Sequence, residues 1–254
     1  MIDFTDKNVL ITGGSRGIGR ACAKLFSDLN ANVIFTYKSN KDEAQKTFEM
    51  LNPKQNNSMY ELEISKPEEI ECFFSGVLEK CQRIDVLVNN AGVYIEHKIN
   101  EVSYPEWQQV WSETLTTNLT GVSNLCYFAG RQMSEQKQGK IINISSRGAF
   151  RGEPDHPAYA ASKAGLNAMS QSLAVALGKH NVIVGVIAPG FVETDMAAPY
   201  LDSEAGELVK KQSPFSRVAT PEEVATIVAV FASEGLEFMT GGIADLNGAS
   251  YLRS

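Results

Sequence analysis

A tyrosine and a lysine four residues apart, Tyr159 and Lys163, form the pair in this sequence best suited to proton transfer. They lie in an alanine- and leucine-rich stretch without proline, residues 158–177, which predicts a helix. Residues four apart on a helix share a face, so the phenol and the ammonium group should be neighbours. An adjacent ammonium favours the phenolate, and we therefore expect a lowered tyrosine pKa and a usable acid–base catalyst.

The spacing alone does not identify a site. It occurs at two other places in the chain, Tyr37 with Lys41 and Tyr94 with Lys98. Only Tyr159 has a serine thirteen residues upstream, Ser146, and this serine follows Ile141, Ile142 and Ile144, which predict a short buried strand. Side chains at the carboxyl ends of parallel strands face the ligand in α/β sheets. The sequence therefore predicts a reactive site between Ser146 and Tyr159.

A glycine-rich turn follows the first predicted strand, residues 8–12. Gly13, Gly17 and Gly19 stand between this strand and a helical run that begins at Arg20. Backbone N–H groups at such a helix N-terminus bind phosphate oxygens. The spacing differs from G-x-G-x-x-G, yet each glycine has a use: a tight turn at Gly13, close backbone approach at Gly17 and close helix packing at Gly19. The turn predicts a dinucleotide site.

The end of the second predicted strand, residues 32–37, indicates which dinucleotide. A carboxylate at this position would bind the ribose hydroxyls of NAD, and none is present. Tyr37, Lys38 and Ser39 stand there instead, and Arg16 lies in the glycine turn. Two cations and two hydroxyls suit a 2′-phosphate. We expect NADP(H) rather than NAD(H).

Strand and helix patterns alternate along the whole chain. Further strands are predicted over 58–64, 84–88, 182–187 and 241–248, and a long helical segment over 104–137 is interrupted near Asn118 by a polar, glycine-containing stretch. No repeat or linker is present. The sequence predicts a single-domain, Rossmann-like, doubly wound α/β fold over residues 1–254, with seven parallel strands and helices on both faces. The long connection at about 191–214 is predicted to be a lid over the site.

Composition excludes several classes of protein. The formal charge of −7 argues against nucleic acid or an anionic membrane as a partner. The N-terminal residues lack the order of a signal peptide and no apolar run is long enough to span a membrane, so a soluble, cytoplasmic protein is expected. The four cysteines and three histidines show no ligand spacing, and no metal site is predicted.

Taken together, these segments resemble the short-chain dehydrogenase/reductase family across nearly the whole chain, and within it the bacterial 3-oxoacyl-acyl-carrier-protein reductases. The residues that carry the resemblance are Thr12–Gly19, Asn89–Gly92, Asn118, Ser146, Tyr159 with Lys163, Pro189–Gly190 and Asn247–Gly248. The resemblance implies an NADPH-dependent ketoreductase that reduces a 3-oxoacyl thioester, linked to acyl carrier protein or CoA. It also implies a homotetramer.

The resemblance also implies roles for individual residues. Tyr159 would protonate the carbonyl oxygen, Lys163 would lower the tyrosine pKa and bind the nicotinamide ribose, Ser146 would hold the substrate oxygen, and Asn118 would fix a relay water. Cofactor contacts are expected from Gly13, Ser15, Arg16, Gly17, Ile18, Gly19, Tyr37, Lys38, Ser39, Glu63, Ile64, Asn90, Ala91, Gly92, Tyr159, Lys163, Pro189, Gly190, Val192 and Thr194. Glu63 stands where the family usually has aspartate.

Departures from the family pattern leave the substrate open. Acyl-carrier-protein reductases tend to carry arginines where this chain has Lys137 and His180. The loop after Ser146 is bulkier and more charged than a plain fatty-acyl reductase requires, with Arg147, Phe150, Arg151, Asp155 and His156. A polyketide or other secondary-metabolite reductase and a small-ketone reductase remain alternatives. A different class, a catalytically silent NADP-binding regulatory protein, is disfavoured because both Tyr159 and Lys163 are present.

Overall fold

Seven parallel strands form one sheet in a computed structural model that describes residues 2–194 and 197–253, without the side chains of Pro199 and Tyr200. The strands are β1 Asn8–Ile11, β2 Asn32–Tyr37, β3 Ser58–Glu61, β4 Val86–Asn89, β5 Gly139–Ile144, β6 Val182–Pro189 and β7 Ile243–Leu246. Their order is β3-β2-β1-β4-β5-β6-β7, and each neighbouring pair is parallel. The order reverses between β1 and β4, which is where open α/β sheets bind ligands.

Helices connect the strands and cover both faces of the sheet. They are α1 Gly17–Asp28, α2 Lys41–Glu49, α3 Pro67–Cys81, α4 Tyr104–Leu115, α5 Val122–Gln136, α6 Gly148–Arg151, α7 Pro157–Gly178, α8 Ala198–Leu201, α9 Glu204–Lys210 and α10 Pro221–Ala232. A π-helical segment, Thr116–Gly121, joins α4 to α5, and a 3₁₀ turn, Glu237–Met239, precedes β7. No helix within the described ranges is both long and apolar enough to cross a membrane.

The core lies in two apolar clusters, one on each face of the sheet. Because side chains alternate along a strand, Val9 and Ile11 of β1 join the cluster under α1 and α10, whereas Leu10 joins the cluster under α3, α5 and α7. Strands that are buried on both faces appear in the sequence as nearly continuous runs of apolar residues. Burial on both faces explains why short apolar, largely β-branched runs mark β1, β2, β4, β5 and β6 in this sequence.

The predicted doubly wound fold is confirmed. All seven predicted strands are present, and the helix predicted over 158–177 spans Pro157–Gly178. The interruption predicted near Asn118 is the π-helical segment. The short helix α6 lies in a stretch that the sequence indicated only as a loop. Within the predicted lid segment, residues 195 and 196 lie outside the described part of the chain, and α8 and α9 follow them.

Candidate active site

A crevice of about 810 Å³ opens at the carboxyl edge of the sheet. The segments that follow β1, β2, β3, β4, β5 and β6 all contribute to its walls. Its volume lies within the range typical of cofactor and substrate sites. Most of the predicted site residues line it, namely Gly13, Ser15, Arg16, Gly17, Ile18, Lys38, Glu63, Ile64, Asn90, Ala91, Gly92, Ser146, Tyr159, Lys163, Pro189, Gly190, Val192 and Thr194.

Ser146 and Tyr159 meet inside this crevice. The backbone N–H of Gly148, at the start of α6, donates to Ser146 Oγ at 3.0 Å, and the serine and tyrosine hydroxyls are hydrogen-bonded to each other. The Gly148 N–H thus occupies one lone pair of the serine oxygen, and the serine O–H remains available as a donor. Both hydroxyls can donate to the same ligand oxygen, because a carbonyl oxygen has two lone pairs and accepts two hydrogen bonds.

Burial dominates the electrostatics of the tyrosine and the lysine. It raises the pKa of Tyr159 to about 12; the hydrogen bond from Ser146 opposes this shift, and the charge of Glu153 adds to it. Burial also lowers the pKa of Lys163 to about 8. The lysine Nζ donates to Ile144 O at 2.8 Å and lies 5.6 Å from the tyrosine ring centroid. The expected lowering of the tyrosine pKa was wrong, because the cost of burying a phenolate outweighs the attraction of an ammonium at that distance.

Asn118 supports the backbone of the site but does not line the crevice. It is fully buried and does not line the crevice. Its Oδ1 accepts from the Val93 N–H at 2.8 Å, and its Nδ2 donates to Val93 O at 2.9 Å and to Ser162 Oγ at 3.2 Å. These bonds use both N–H groups of the side-chain amide and one lone pair of Oδ1. The main chain of the π-helical segment, whose wider turn frees backbone carbonyls, offers a further place for a relay water.

The glycine turn has the conformation that its residue types indicated. Gly13 and Gly17 have φ of +67° and +52°, in the left-handed region that favours glycine. A Cβ on Gly19 would overlap the carbonyl oxygen of Gly13. Asn90 braces the turn, because its Nδ2 donates to Thr12 O at 2.9 Å and to Gly13 O at 3.1 Å. Gly19 thus packs beneath the cradle and does not line it.

This cradle fits a nicotinamide dinucleotide. Backbone of Gly13, Ser15 and Gly17 lines the crevice at the N-terminus of α1, where the N–H groups suit a pyrophosphate. Gly92 leaves space on the opposite wall, since a Cβ there would come within 3.1 Å of Asn118 Oδ1 and 3.8 Å of Lys163 Nζ. The absence of a side chain at Gly92 therefore leaves room for a ribose beside Lys163.

The structure corrects the expected contacts at the end of β2. Tyr37 is buried in the cluster under α1, and neither it nor Ser39, which is exposed, lines the crevice. The reason is strand alternation: Tyr37 points to the same face as Phe35, and Thr36 lines the crevice instead. The crevice therefore has one hydroxyl at this point, from Thr36, in place of the two that were predicted from Tyr37 and Ser39.

A charge pair also occupies this end of the crevice. Lys38 Nζ lies 2.6 Å from Glu63 Oε1, and this contact is the largest cause of a lowered Glu63 pKa. The acid that the sequence lacked after β2 is therefore supplied by the segment after β3. Arg16 and Lys38 still give the local charge a positive balance, but Glu63 offsets one of the two cations.

Two residues of the crevice, Tyr94 and Glu153, were not predicted from the sequence to belong to the site. The Tyr94 ring stacks on the His156 ring at 3.7 Å and meets the Tyr159 ring edge-on at 4.7 Å. Glu153 lies beside Gly148, and burial raises its pKa. An aromatic residue two positions after the Asn-Asn-Ala-Gly turn was the available signal for Tyr94. Nothing in the local sequence indicated that Glu153 would face Tyr159.

The fold and this site define an oxidoreductase of the short-chain dehydrogenase/reductase family, and the chain belongs to that family: a family model described as enoyl-(acyl carrier protein) reductase matches residues 13–248. A 3-oxoacyl-[acyl-carrier-protein] reductase of Chlamydia trachomatis is 36% identical over 247 residues, with 96% of this chain and 97% of the relative covered. The enzyme of the same name from Aquifex aeolicus is 35% identical over 252 residues, with 98% and 99% covered. The crystal structure of gox2181 matches with a TM-score of 0.90 and 29% identity, covering 98% of this chain and 97% of that one.

Proposed function

We propose that the protein is an NADPH-dependent ketoreductase that reduces a 3-oxoacyl thioester, carried by acyl carrier protein or CoA, to the 3-hydroxyacyl product. The observation that carries the proposal is the hydrogen bond between Tyr159 and Ser146 beside buried Lys163, at the carboxyl edge of the sheet. Relatives that bear the name 3-oxoacyl-[acyl-carrier-protein] reductase over nearly their whole length support this substrate class.

Two hydroxyls on one oxygen suit a carbonyl substrate. Ser146 and Tyr159 would both donate to the ketone oxygen and draw electron density from its carbon. The bound nicotinamide would supply a hydride to that carbon. Tyr159 then transfers its proton to the oxygen, and the protonated amine of Lys163 stabilises the phenolate that remains. The hydrogen bonds of Asn118 to the Val93 backbone and to Ser162 on α7 hold these two segments together during the transfer.

The raised pKa of Tyr159 favours reduction at neutral pH. With a pKa of about 12 the phenol keeps its proton and is ready to donate. An alkoxide is a much stronger base than a phenolate, so the transfer of the proton from the phenol is downhill. Oxidation would require the phenolate first. We therefore expect ketone reduction to be faster than alcohol oxidation at pH 7.

NADPH is the preferred cofactor in this proposal because Arg16 and Lys38 line the crevice after β1 and β2. Both can donate charge-assisted hydrogen bonds to a 2′-phosphate. Glu63 moderates the preference through its ion pair with Lys38. The test compares Arg16→Ala with the parent protein: binding of NADPH should weaken about tenfold more than binding of NADH, and equal weakening would assign Arg16 no phosphate contact.

The segment 191–214 is proposed as a lid over the substrate. Its described residues include Val209 and Gln212, which line the crevice from α9 and its C-terminal side. The crevice is also lined by Arg151, Glu153 and His156. A crevice lined by both polar and apolar side chains suits a substrate with a thioester end and a short chain. Secondary-metabolite ketones and small free ketones are accommodated by the same geometry, and turnover of a chain-length series discriminates among them.

The activity is tested by NADPH oxidation with acetoacetyl thioesters of acyl carrier protein and of CoA. A crotonyl thioester serves as the control for double-bond reduction, given the description of the matching family model. We expect turnover of the ketones alone. Tyr159→Phe should lower kcat by on the order of 100-fold or more, whereas the same change at Tyr60 on β3 should not. Full activity of the Tyr159→Phe variant would remove the tyrosine from the reaction.

Assembly is a separate part of the proposal. The resemblance to the family suggests a homotetramer, and light scattering of the purified protein would give the mass directly. A protein that bound NADPH tightly but reduced no ketone in the panel would instead support the regulatory alternative.

A further inference from the structure

The first turn of the catalytic helix α7 lacks a cap of its own. His156 occupies the N-cap position and its side chain makes no capping hydrogen bond, while Pro157 at the first helical position has no N–H. The next donor, the backbone N–H of Ala158, is fully buried and must find an acceptor. That acceptor is Nε2 of His97, at 3.2 Å, from a segment 61 residues away in sequence. Tyr159 is the residue immediately after this bond.

The contacts of His97 fix its protonation state. The ring is buried, with 1% exposure, and its Nδ1 lies 2.8 Å from the carbonyl oxygen of Ile95. A carbonyl only accepts, so Nδ1 carries the hydrogen and Nε2 offers a lone pair to Ala158. The backbone N–H of His97 also donates to Asp155 O at 2.9 Å, and the Trp107 ring packs 5.3 Å away. His97 is therefore a neutral imidazole with a single hydrogen-bonding arrangement.

The segment that carries His97 is itself anchored to the catalytic machinery. Asn118 binds both backbone groups of Val93, four residues before His97. The same amide donates to Ser162 Oγ, and the Ser162 hydroxyl donates to Tyr159 O at 2.7 Å. The backbone around Tyr159 is thus held at two points, by His97 before it and by Ser162 after it. Loss of either contact should leave the phenol less well aligned with Ser146.

We propose that His97 is a positioning residue for the reaction: its neutral imidazole caps α7 in trans and fixes the Tyr159 hydroxyl against Ser146. The inference rests on the proposed ketone reduction for its kinetic consequence, although the cap itself does not. The competing account is that His97 only fills space against Trp107. The two accounts differ in which polar atom of the side chain matters.

Two amide variants separate these accounts. His97→Gln places an amide near the position of Nε2 and can accept from Ala158, whereas His97→Asn places its amide near Nδ1 and keeps only the bond with Ile95. His97→Leu removes both, and His180→Leu beyond the far end of α7 is the matched control. We expect kcat to fall on the order of 10- to 100-fold in His97→Asn and His97→Leu, and to recover to within about threefold of the parent in His97→Gln. KM and the dissociation constant of NADPH should change less than twofold in all of them.

Equal kcat values for the Gln and Asn variants, or parental kcat in His97→Leu, would overturn the proposal. So would a loss confined to KM or to NADPH binding. Hydrogen exchange of the amides in residues 158–162 gives a readout that needs no substrate: exchange should be faster in the Asn and Leu variants than in the parent and the Gln variant. If the parent reduced no ketone, the proposed function would fail while this exchange still tested the cap. Unchanged exchange in His97→Leu would refute the cap whatever the turnover.

Discussion

Replacing Lys163 by methionine should make the protein inactive and more stable at pH 7. The lysine is buried and its pKa is lowered from 10.5 to about 8, which means that the folded protein disfavours its charged form. Methionine has a similar length, carries no charge and packs adaptably in apolar surroundings. The variant therefore removes a buried cation without creating a large cavity.

The size of the effect follows from the two pKa values. The pKa of Lys163 falls from 10.5 in the unfolded chain to about 8 in the folded protein. At about 1.36 kcal/mol per pKa unit, keeping the lysine charged in the folded protein below pH 8 lowers the free energy of unfolding by about 3.4 kcal/mol. Loss of the hydrogen bond from Lys163 to Ile144 O offsets about 1–1.5 kcal/mol of this gain. We expect Lys163→Met to raise the free energy of unfolding by about 2 kcal/mol at pH 7.

The gain must also depend on pH in a defined direction. Between pH 8 and 10.5 the unfolded chain holds the lysine proton and the folded chain releases it, so the parent becomes more stable as the pH rises through this window. From pH 7 to pH 9 this linkage contributes about 1.3 kcal/mol to the parent and nothing to the variant. The advantage of Lys163→Met should therefore shrink to less than about 1 kcal/mol at pH 9.

Urea unfolding followed by the fluorescence of Trp107 and Trp111 measures both quantities. The comparison at pH 7 and pH 9 cancels the titration of all groups that the two proteins share. Lys24→Met, at an exposed lysine paired with Asp28, is the control and should show the parental pH dependence. Parallel pH dependence of Lys163→Met and the parent would refute the assignment of Lys163 as a buried cation. NADPH-dependent turnover should fall at least 100-fold, roughly, in the variant.

Three further substitutions test other parts of the site. Gly19→Ala would drive a Cβ into the carbonyl oxygen of Gly13, and we expect a loss of at least about 2 kcal/mol in the free energy of unfolding together with weaker NADPH binding, measured by denaturation and fluorescence titration. Glu63→Gln frees Lys38 from its ion pair, so the ratio of kcat/KM with NADPH to that with NADH should rise about fivefold; an unchanged ratio would place Glu63 outside the phosphate site. Asn118→Leu leaves both backbone groups of Val93 without their partners, and calorimetry should show a loss of about 2–3 kcal/mol in the free energy of unfolding, with kcat lowered more than KM.

The fold could be predicted because its signals are local. Apolar β-branched runs such as 140–144 mark strands that are buried on both faces, and the glycine turn after β1 marks the entry to a helix. The interruption at Asn118 could also be predicted, because polar residues and a glycine weaken an α-helix at the point where the π-helical segment forms. Helix α6 could not be predicted, because a helix of four residues shows no periodic pattern of apolar residues.

The details of the site depended on contacts between distant segments. Whether Tyr37 or Thr36 lines the crevice is decided by one step in the register of β2, which the residue types alone do not reveal. Glu63 meets Lys38 only because β3 pairs with β2. His97 had no motif to mark it, because its partner, the N–H of Ala158, becomes a buried orphan donor only when α7 packs in place.

The direction of the Tyr159 pKa shift bears on how Lys163 would contribute to the proposed reaction. Before proton transfer the phenol is neutral, and the lysine charge gains little from it at 5.6 Å from the ring centroid. As the proton leaves, negative charge develops on the phenol oxygen in buried surroundings, where its attraction to the ammonium is much stronger than in water. The interaction is therefore made mainly in the transition state and not in the ground state, which is the condition for an interaction to raise kcat. Burial that raises the resting pKa of Tyr159 is thus compatible with the proposed catalysis, and we expect that catalysis to depend on the charge of Lys163.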